Sequence, residues 1–450
     1  MQIVADLQLH SKYSRAVSPD MIIPIMTEWG EKKGIDLLAT GDWTHPLWFK
    51  ELEANLEEAG EGIYKLKNSN KKTRFFLSGE ISSIYTDGGK GRRVHTLFFA
   101  PTLAVVKKIN EELVKRGANL MSDGRPIVGL SCQQLCEVVW GIDEKVLVVP
   151  AHCWTPWFAL YGSKSGFDSV EECFGKYADR IYAVETGLSS DPVMNWRIAD
   201  LDQRAIVSFS DAHSPKKMGR EATVFSGDFN DEVTFNDVAG AISERFLGKN
   251  DGRLKIAYTI EFYPEEGKYH YTGHRTCGVV QSPEETRIKG VICHVCGKPL
   301  TVGVEHRVGE LARHSPGKPL EPIKKVSEAG VVGYYHPTDS TRPPYVKIVP
   351  LHEILAEVVG VGNIYSPKVT QLYERLISGV GSEFEVLLKS DLDKIKAVAG
   401  ERTAEAIQKI RSGDIVVEPG YDGVFGVVKI WSDKADENQV QSNLEQQTLF

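Results

Sequence analysis

Between Ala205 and Pro215 the sequence AIVSFSDAHSP runs apolar and β-prone, then stops at Asp211 and His213. A carboxylate and an imidazole two residues apart at a strand end face the same side, because strand side chains alternate, and together they can grip one metal ion. The same grammar recurs upstream. IVADLQLH ends at His10, IDLLATGDWTH at Asp42 and His45, RFFLSGE at Glu80, KVLVVPAH at His152 and RIYAVE at Glu185, while His95 opens the run VHTLFF. His10, Asp42, His45, Glu80, His95, His152, Asp211 and His213 are too many donors for one ion. The mixture of imidazole and carboxylate suits Zn, Mn or Fe better than Mg or Ca, although Mg stays among the candidates. Two or three divalent cations are expected, with Asp211, His213, Glu80 and His152 nearest the chemistry. Glu185 is either a partner that orients a ligating histidine or a charge on the rim.

Those donors must be brought to one place. Helical patterns follow the ligand-bearing runs: Ser18 and Pro19 open PDMIIPIMTEWGEKKG, Thr102 opens TLAVVKKINEELVKRG, Ser131 opens SCQQLCEVVWG, and Asp191 with Pro192 opens PVMNWRIADLDQRA. Strand followed by helix, repeated along residues 1–248, predicts a parallel α/β domain. A closed barrel fits better than an open sheet, since an open sheet gathers residues only near its switch point and a barrel brings every strand end to one rim.

With 450 residues and a net charge of −8, the chain has room for several domains and no global attraction to nucleic acid. Local basic stretches stand out instead. Lys65, Lys67, Lys71, Lys72 and Arg74 form one, and Lys90, Arg92 and Arg93 crowd a Gly-rich turn. No apolar run approaches the roughly 20 residues of a membrane span, and the N-terminus lacks a signal-peptide pattern, so a cytoplasmic location is expected.

GKNDGRLK breaks the barrel rhythm and sets a boundary near Gly248. Beyond it, His274-x-x-Cys277 and Cys293-x-x-Cys296 have the spacing of a four-ligand structural zinc ribbon, placed in a domain over 249–320. His270, His294 and His306 are alternatives to His274. Cys132, Cys136, Cys153 and Cys173 lack such pairing and read as buried thiols. Residues 321–349, rich in Pro, Gly and Lys, read as an extended connector. A helical domain follows over 350–432. There LYERLISGVGSEFEVLL and LDKIKAVAGERTAEAIQKIRSG loosely resemble helix-hairpin-helix units, which offer backbone amides to a phosphate; a plain helical bundle is the alternative. Residues 433–450 read as a polar, flexible tail.

The series DLQLHSKYS, TGD, SGE, His95, PAH and SDAH resembles the PHP family of polymerase and histidinol phosphatase metal hydrolases, across Gln2 to Ala222. The resemblance implies a distorted (β/α)7 PHP barrel with two or three metals at its rim and cleavage of phosphate esters. It places His10, Glu80, His95, His152, Asp211 and His213 at ligand positions. Two departures matter. Gln8 stands where the family has a histidine, and Asp42 stands where the second motif ends in one, leaving open whether Asp42, His45 or both bind metal.

The order of barrel, zinc ribbon and helical domain resembles the endonuclease Q family. That implies cleavage of double- and single-stranded DNA on the 5′ side of deaminated bases (hypoxanthine, uracil, xanthine) and at abasic sites. In such a reading Trp43, Trp48, Trp154 and Trp157 are candidates to stack on an extruded base, and Lys71, Lys72, Arg92 and Arg93 to hold phosphates. Gln446 to Phe450, QQTLF, looks like the first part of a sliding-clamp-binding peptide. The rival readings are a small-molecule phosphatase on the same barrel and a non-catalytic DNA-binding scaffold.

Overall fold

The computed structural model describes residues 1–228, 231–250, 252–314 and 319–432. Nine of the twelve strands described in residues 1–248 frame the first half of the chain: β1 (Gln2–Asp6), β2 (Leu37–Ala39), β3 (Arg74–Phe76), β4 (Ser78–Asp87), β5 (Lys90–Phe99), β6 (Leu147–Pro150), β7 (Ala183–Glu185), β8 (Ala205–Val207) and β9 (Ala222–Gly227). They surround one apolar interior. Ala5, Leu37, Phe76, Leu97, Val149, Ala183, Val207 and Phe225 all belong to a single buried cluster, so eight of the nine strands reach it.

The fold is mixed α/β, but the pairing departs from a uniformly parallel, continuously laddered barrel. β1–β2 and β2–β3 pair parallel, as do β7 and β8. β9 is antiparallel to β1, and β4 with β5 forms a long antiparallel hairpin that carries β6 antiparallel on its other side. The hairpin follows from Gly88 and Gly89, both at positive φ, which close a two-residue turn and leave no room for a crossover helix. The strands therefore lie in three separate hydrogen-bonded sheets. At one seam Ser208 N donates to Thr223 Oγ1 at 3.0 Å, and at another Cys153 N donates to Glu185 O at 3.1 Å.

Two expected helices hold: Thr102 caps Leu103–Lys115, and Ser131 forms a capping box with Gln134 over Cys132–Ile142. Two are shorter. The first begins at Ile23, where Pro24 presets the helical φ, rather than at Pro19. The one capped by Asp191 stops after Pro192–Asn195.

The second half is more tightly joined to the first than the sequence suggests. β10 (Leu254–Glu261) extends the large sheet antiparallel to β9, and β11 (Ile323–Val326), β12 (Val332–Tyr335) and β13 (Tyr345–Lys347) continue it. Residues 321–349 are thus a sheet edge rather than an extended connector. Between them sits a small module that carries His274, Cys277, Cys293 and Cys296, a Thr272–His274 and Val279–Gln281 hairpin with the helices Pro283–Lys289 and Val304–Leu311. Helices Leu351–Val359, Pro367–Gly379, Glu383–Leu388, Leu392–Ala399 and Glu401–Ser412 form the last unit. It docks through a buried Lys33–Glu383 ion pair at 2.7 Å. Gly400, at φ 89, makes the one-residue turn between the last two helices. The QQTLF stretch lies outside the described residues, and among those described no helix is long and apolar enough to cross a membrane.

Candidate metal centre

The strand ends converge. Donor atoms of His10, Asp211 and His213 lie within 4.8 Å of one another, and so do those of Glu80, His95 and His152. The two groups touch, because His10 Nε2 is 3.2 Å from Glu80 Oε2 and 3.0 Å from Asp211 Oδ1. In the second group His95 Nδ1 is 2.6 Å from Glu80 Oε1 and 3.1 Å from His152 Nε2. All six side chains come from strands or the residues just past them, so short β-runs set their positions.

The local hydrogen bonds fix which lone pairs face inward. His10 Nδ1 meets Asp42 Oδ1 at 2.9 Å, and His213 Nδ1 meets the Asp211 carbonyl at 2.8 Å, so each leaves its Nε2 lone pair to the site. His10 Nε2 and Asp211 Oδ1 are buried yet make no aligned hydrogen bond. Buried donors with close, unaligned contacts, two carboxylates and four imidazoles, are the environment a divalent cation requires. The residues present therefore fit metal binding.

The electrostatics agree. Burial opposes protonation of His10, but Asp42, Asp211 and Glu80 together carry its pKa well above the usual value. Glu80 resists the upward push of burial because Arg125, His95, His10 and His152 hold it well below the usual carboxylate range. Burial takes His95 down to about 4, keeping it neutral. Asp211 is also lowered: burial pushes its carboxyl up, but its contact with His10 and the charge of His213 together outweigh that push. Ionised carboxylates beside a neutral imidazole are ligand-ready.

Asp42 and His45, both expected as ligands, belong to neither group. Asp42 Oδ2 accepts from Ser11 N at 2.6 Å and from the hydroxyls of Ser11 and Ser14 at 2.8 Å, while Oδ1 faces His10. Its lone pairs are committed, and it braces His10. His45 stacks on Tyr13 at 4.5 Å, away from the donor groups. Gln8, in place of a histidine, donates from Nε2 to Glu80 Oε2 at 3.0 Å, which orients the carboxylate. Glu185 resolves as a positioning group: it accepts from the backbone N–H of His152, and from that of Gly187 at 2.9 Å. Burial raises its pKa to about 8.

Arg125 was not foreseen. Its Nη1 reaches Glu80 Oε1 at 3.5 Å, and Gly124 beside it packs so closely that an added Cβ would stand 2.3 Å from Asp42 Oδ2. Pro126 O accepts from Ser82 N at 3.0 Å, tying this loop to β4. The stretch MSDGRPIVG carries no ligand pattern, so nothing in the sequence marked it.

The tryptophan candidates divide. Trp43, Trp48 and Trp154 are fully buried, with indole N–H groups bonded to Phe98 O, Gly41 O and Asn195 Oδ1. They are core, not base platforms. Trp157 is half-buried and packs edge-on to Tyr269 at 5.6 Å. Arg92 stacks over Phe167 at 3.9 Å, and Arg93 is exposed beside Phe158, whose carbonyl accepts from His95 N at 3.0 Å. Lys71 and Lys72 are exposed but precede β3, at the strand end opposite Glu80.

In the small module of the second half the donor atoms of His274, Cys277, Cys293 and Cys296 also lie within 4.8 Å of one another. Desolvation opposes ionisation of Cys293, yet the Cys296 N–H, His274 and the Val295 N–H bring its pKa to about 6, so a thiolate is accessible at neutral pH. Around the donors Val279, Cys293 and Leu300 form a small buried core, with Cys277 packed against it, which is the situation a structural metal remedies.

A family described as the MJ0043 C-terminal domain matches residues 350–414. The lesion-specific endonuclease PfuEndoQ from Pyrococcus furiosus is 32% identical, with a TM-score of 0.77 over 98% of this chain and 99% of that one. A second crystal structure, of Endonuclease Q with a 27-mer duplex substrate bearing an abasic lesion at the active site, is 32% identical, with a TM-score of 0.78 over 96% and 98% of the two chains. Uncharacterized protein YqxK of Bacillus subtilis is 31% identical over 415 residues, 90% of this chain and 91% of that protein. The 290-residue match to Uncharacterized protein MJ0043 of Methanocaldococcus jannaschii, 34% identical over 63% of this chain, spans only 32% of that protein.

Proposed function

The chain belongs to the endonuclease Q family, and from that membership and the donor geometry we propose that it hydrolyses DNA phosphodiesters on the 5′ side of deaminated bases and of abasic sites. The observation that carries the reading is the contact between two donor triads, His10–Asp211–His213 and Glu80–His95–His152, at the ends of the strands that line one interior. We assign two or three divalent cations, Zn, Mn, Fe or Mg, to this centre and one structural zinc to His274, Cys277, Cys293 and Cys296. Cations bound at the centre supply Lewis-acid charge to the scissile phosphate and the leaving oxygen.

The chain's own residues do the rest. Asp211 and Glu80 provide the ionised oxygens and His10, His95, His152 and His213 the nitrogens; His10 and His152, whose carboxylate neighbours raise their pKa, would give up a proton when a cation binds. Asp42, Gln8 and Glu185 hold those donors in register. Arg125, a cation at the edge of the centre, addresses the non-bridging phosphate oxygens, where charge grows as the bond breaks. Arg93 and Trp157 are the remaining candidates for DNA contact from the loops beside the metals. The metal-bearing body, the zinc module and the helical unit at 350–432 act as three cooperating parts, working in the cytoplasm.

The test is a labelled duplex carrying uracil, hypoxanthine or an abasic site, incubated beside p-nitrophenyl phosphate with and without chelator. A metal-dependent nick 5′ to the lesion, absent in folded Asp211→Ala, is the expected result. Phosphate release without nicking would select a phosphatase, and retardation of the duplex without either reaction a scaffold.

A further inference from the structure

The zinc module does not hide its aliphatic side chains. Among the described residues sixteen large hydrophobics are exposed, and five of them, Val280, Ile288, Val291, Ile292 and Val295, lie within this one module. Ile292 is 53% and Val295 62% exposed, each immediately preceding a zinc ligand, Cys293 and Cys296. A module with so small a core leaves some apolar surface outside. Side chains next to the ligands, however, are presented on a turn that cannot yield. Cys293 N donates to Lys298 O, Gly297 N to Cys293 O and Leu300 N to Val291 O, all at 2.8 Å.

The charge nearest these tips is positive, and the acids stand at the far turn of the preceding helix, where Glu285 pairs with Lys289 at 2.6 Å. From residue 286 to 304 the sequence has Arg287, Lys289 and Lys298 and no acid, in a chain whose net charge is −8. All three cations are exposed. The module also stands beside the metal centre. Lys164 Nζ donates to Leu300 O at 3.4 Å and Arg307 Nε to Tyr161 O at 3.1 Å, and Lys164 and Tyr161 sit on the loop that leaves His152.

We propose that Ile292 and Val295 form an apolar wedge that enters the base stack of duplex DNA beside the lesion, with Arg287 and Lys298 on the flanking phosphates. The inference rests on the endonuclease reading and extends it to how the duplex is opened. Aliphatic tips with Arg287 and Lys298 beside them complement a polyanion with an apolar interior. Unstacking one step costs a few kcal/mol in ordinary DNA and least where a base is damaged or mispaired, so a fixed wedge favours lesions.

The experiment uses full-length wild type and the double variant Ile292→Ser, Val295→Ser, with zinc content measured first. Substrates are a uracil-containing duplex and the same strand alone, with 2-aminopurine beside the uracil. The variant is expected to keep its zinc, to lose the rise in 2-aminopurine fluorescence on duplex binding, and to show a duplex-to-single-strand cleavage ratio about tenfold or more below wild type. A ratio within about twofold of wild type, with the fluorescence rise intact, overturns the wedge. So does equal loss on both substrates, which marks a purely structural knuckle. If wild type cleaves neither substrate, the endonuclease reading fails on its own, and the fluorescence rise still decides whether the wedge opens DNA.

Discussion

Asp42→Asn separates a brace from a ligand. In the wild type one carboxylate oxygen takes three donors, Ser11 N and the hydroxyls of Ser11 and Ser14, and the other faces His10 Nδ1. Asparagine tolerates the φ of 48° at least as well as aspartate, so the substitution gives the backbone no new reason to move. Its oxygen must keep the side with three donors, which turns the NH2 towards His10 Nδ1. That nitrogen then has to accept, and the ring proton moves to Nε2, the atom that faces Asp211 and Glu80. Binding a cation would require forcing the proton back, leaving two N–H groups opposed where the new amide meets the His10 ring. An unmet buried donor costs about 1–3 kcal/mol, so apparent metal affinity should fall roughly 10- to 100-fold. The assay is nicking rate against metal concentration, with bound metal counted after dialysis. Excess metal should restore most of the rate, and the structural zinc should stay. Unchanged metal dependence would refute the tautomer argument, and a loss that no metal concentration repairs would return Asp42 to the ligand set.

Other perturbations read different parts of the site. Arg125→Ala should lower the nicking rate at saturating DNA by about 10²–10³-fold with metal content unchanged, and added guanidinium should recover part of it; equal activity would remove Arg125 from phosphate contact. Cys293→Ser should release the structural zinc and lower Tm, while metals at the His10–Glu80 centre remain, as metal analysis of the variant will show. Glu266 lies where burial, with Glu353 adding to it, lifts its pKa from 4.5 to about 8. The folded state thus holds that proton more tightly than the unfolded chain, and stability falls as pH rises through that window. Glu266→Gln should accordingly raise Tm at pH 9 and leave it near wild type at pH 5, with a thermal melt at each pH as the check.

What the sequence disclosed was the part governed by period-two patterning and by spacing. His10, Glu80, His152 and Asp211 each end an apolar run, and a polar side chain at that point has nowhere to go but the rim. The zinc set followed from two paired knuckles. Roles decided by distant partners were not legible. Ligand and brace are the same residue type at Asp42, and the difference lies in Ser11 and Ser14, some thirty residues away. Trp48 looked like a loop aromatic because it follows a ligand motif, yet its indole turns back to Gly41 O at 2.9 Å and closes the core. Lys71 and Lys72 are near Glu80 in sequence but separated from it by a strand of about 3.3 Å per residue, which sends them to the other end of the sheet. The proline-rich stretch at 321–349 hid β11 to β13, because Pro322, Pro337, Pro343 and Pro344 fall between strands of only three or four residues, too short for alternation to show.

One backbone feature ties these observations together. Asp42, His152 and Asp211 adopt positive φ of 48°, 29° and 48°, in a region that few residues other than glycine occupy. Each conformation costs of order 1–3 kcal/mol and persists only where surroundings over-determine it. Here the surroundings are visible. Asp42 is held by serine donors, and His152 by the Glu185 carboxylate and by Gly187, where an added Cβ would stand 2.4 Å from the His152 Cβ. A glycine would relieve the strain at any of the three positions but would bring no oxygen or nitrogen to the centre. Two of these residues supply donors and the third orients one, so the strain sits where the strands must turn their ends inward. The sharp turns that end the ladder are therefore the same ones that aim the donors, which is why a continuous, regular barrel would not present this site.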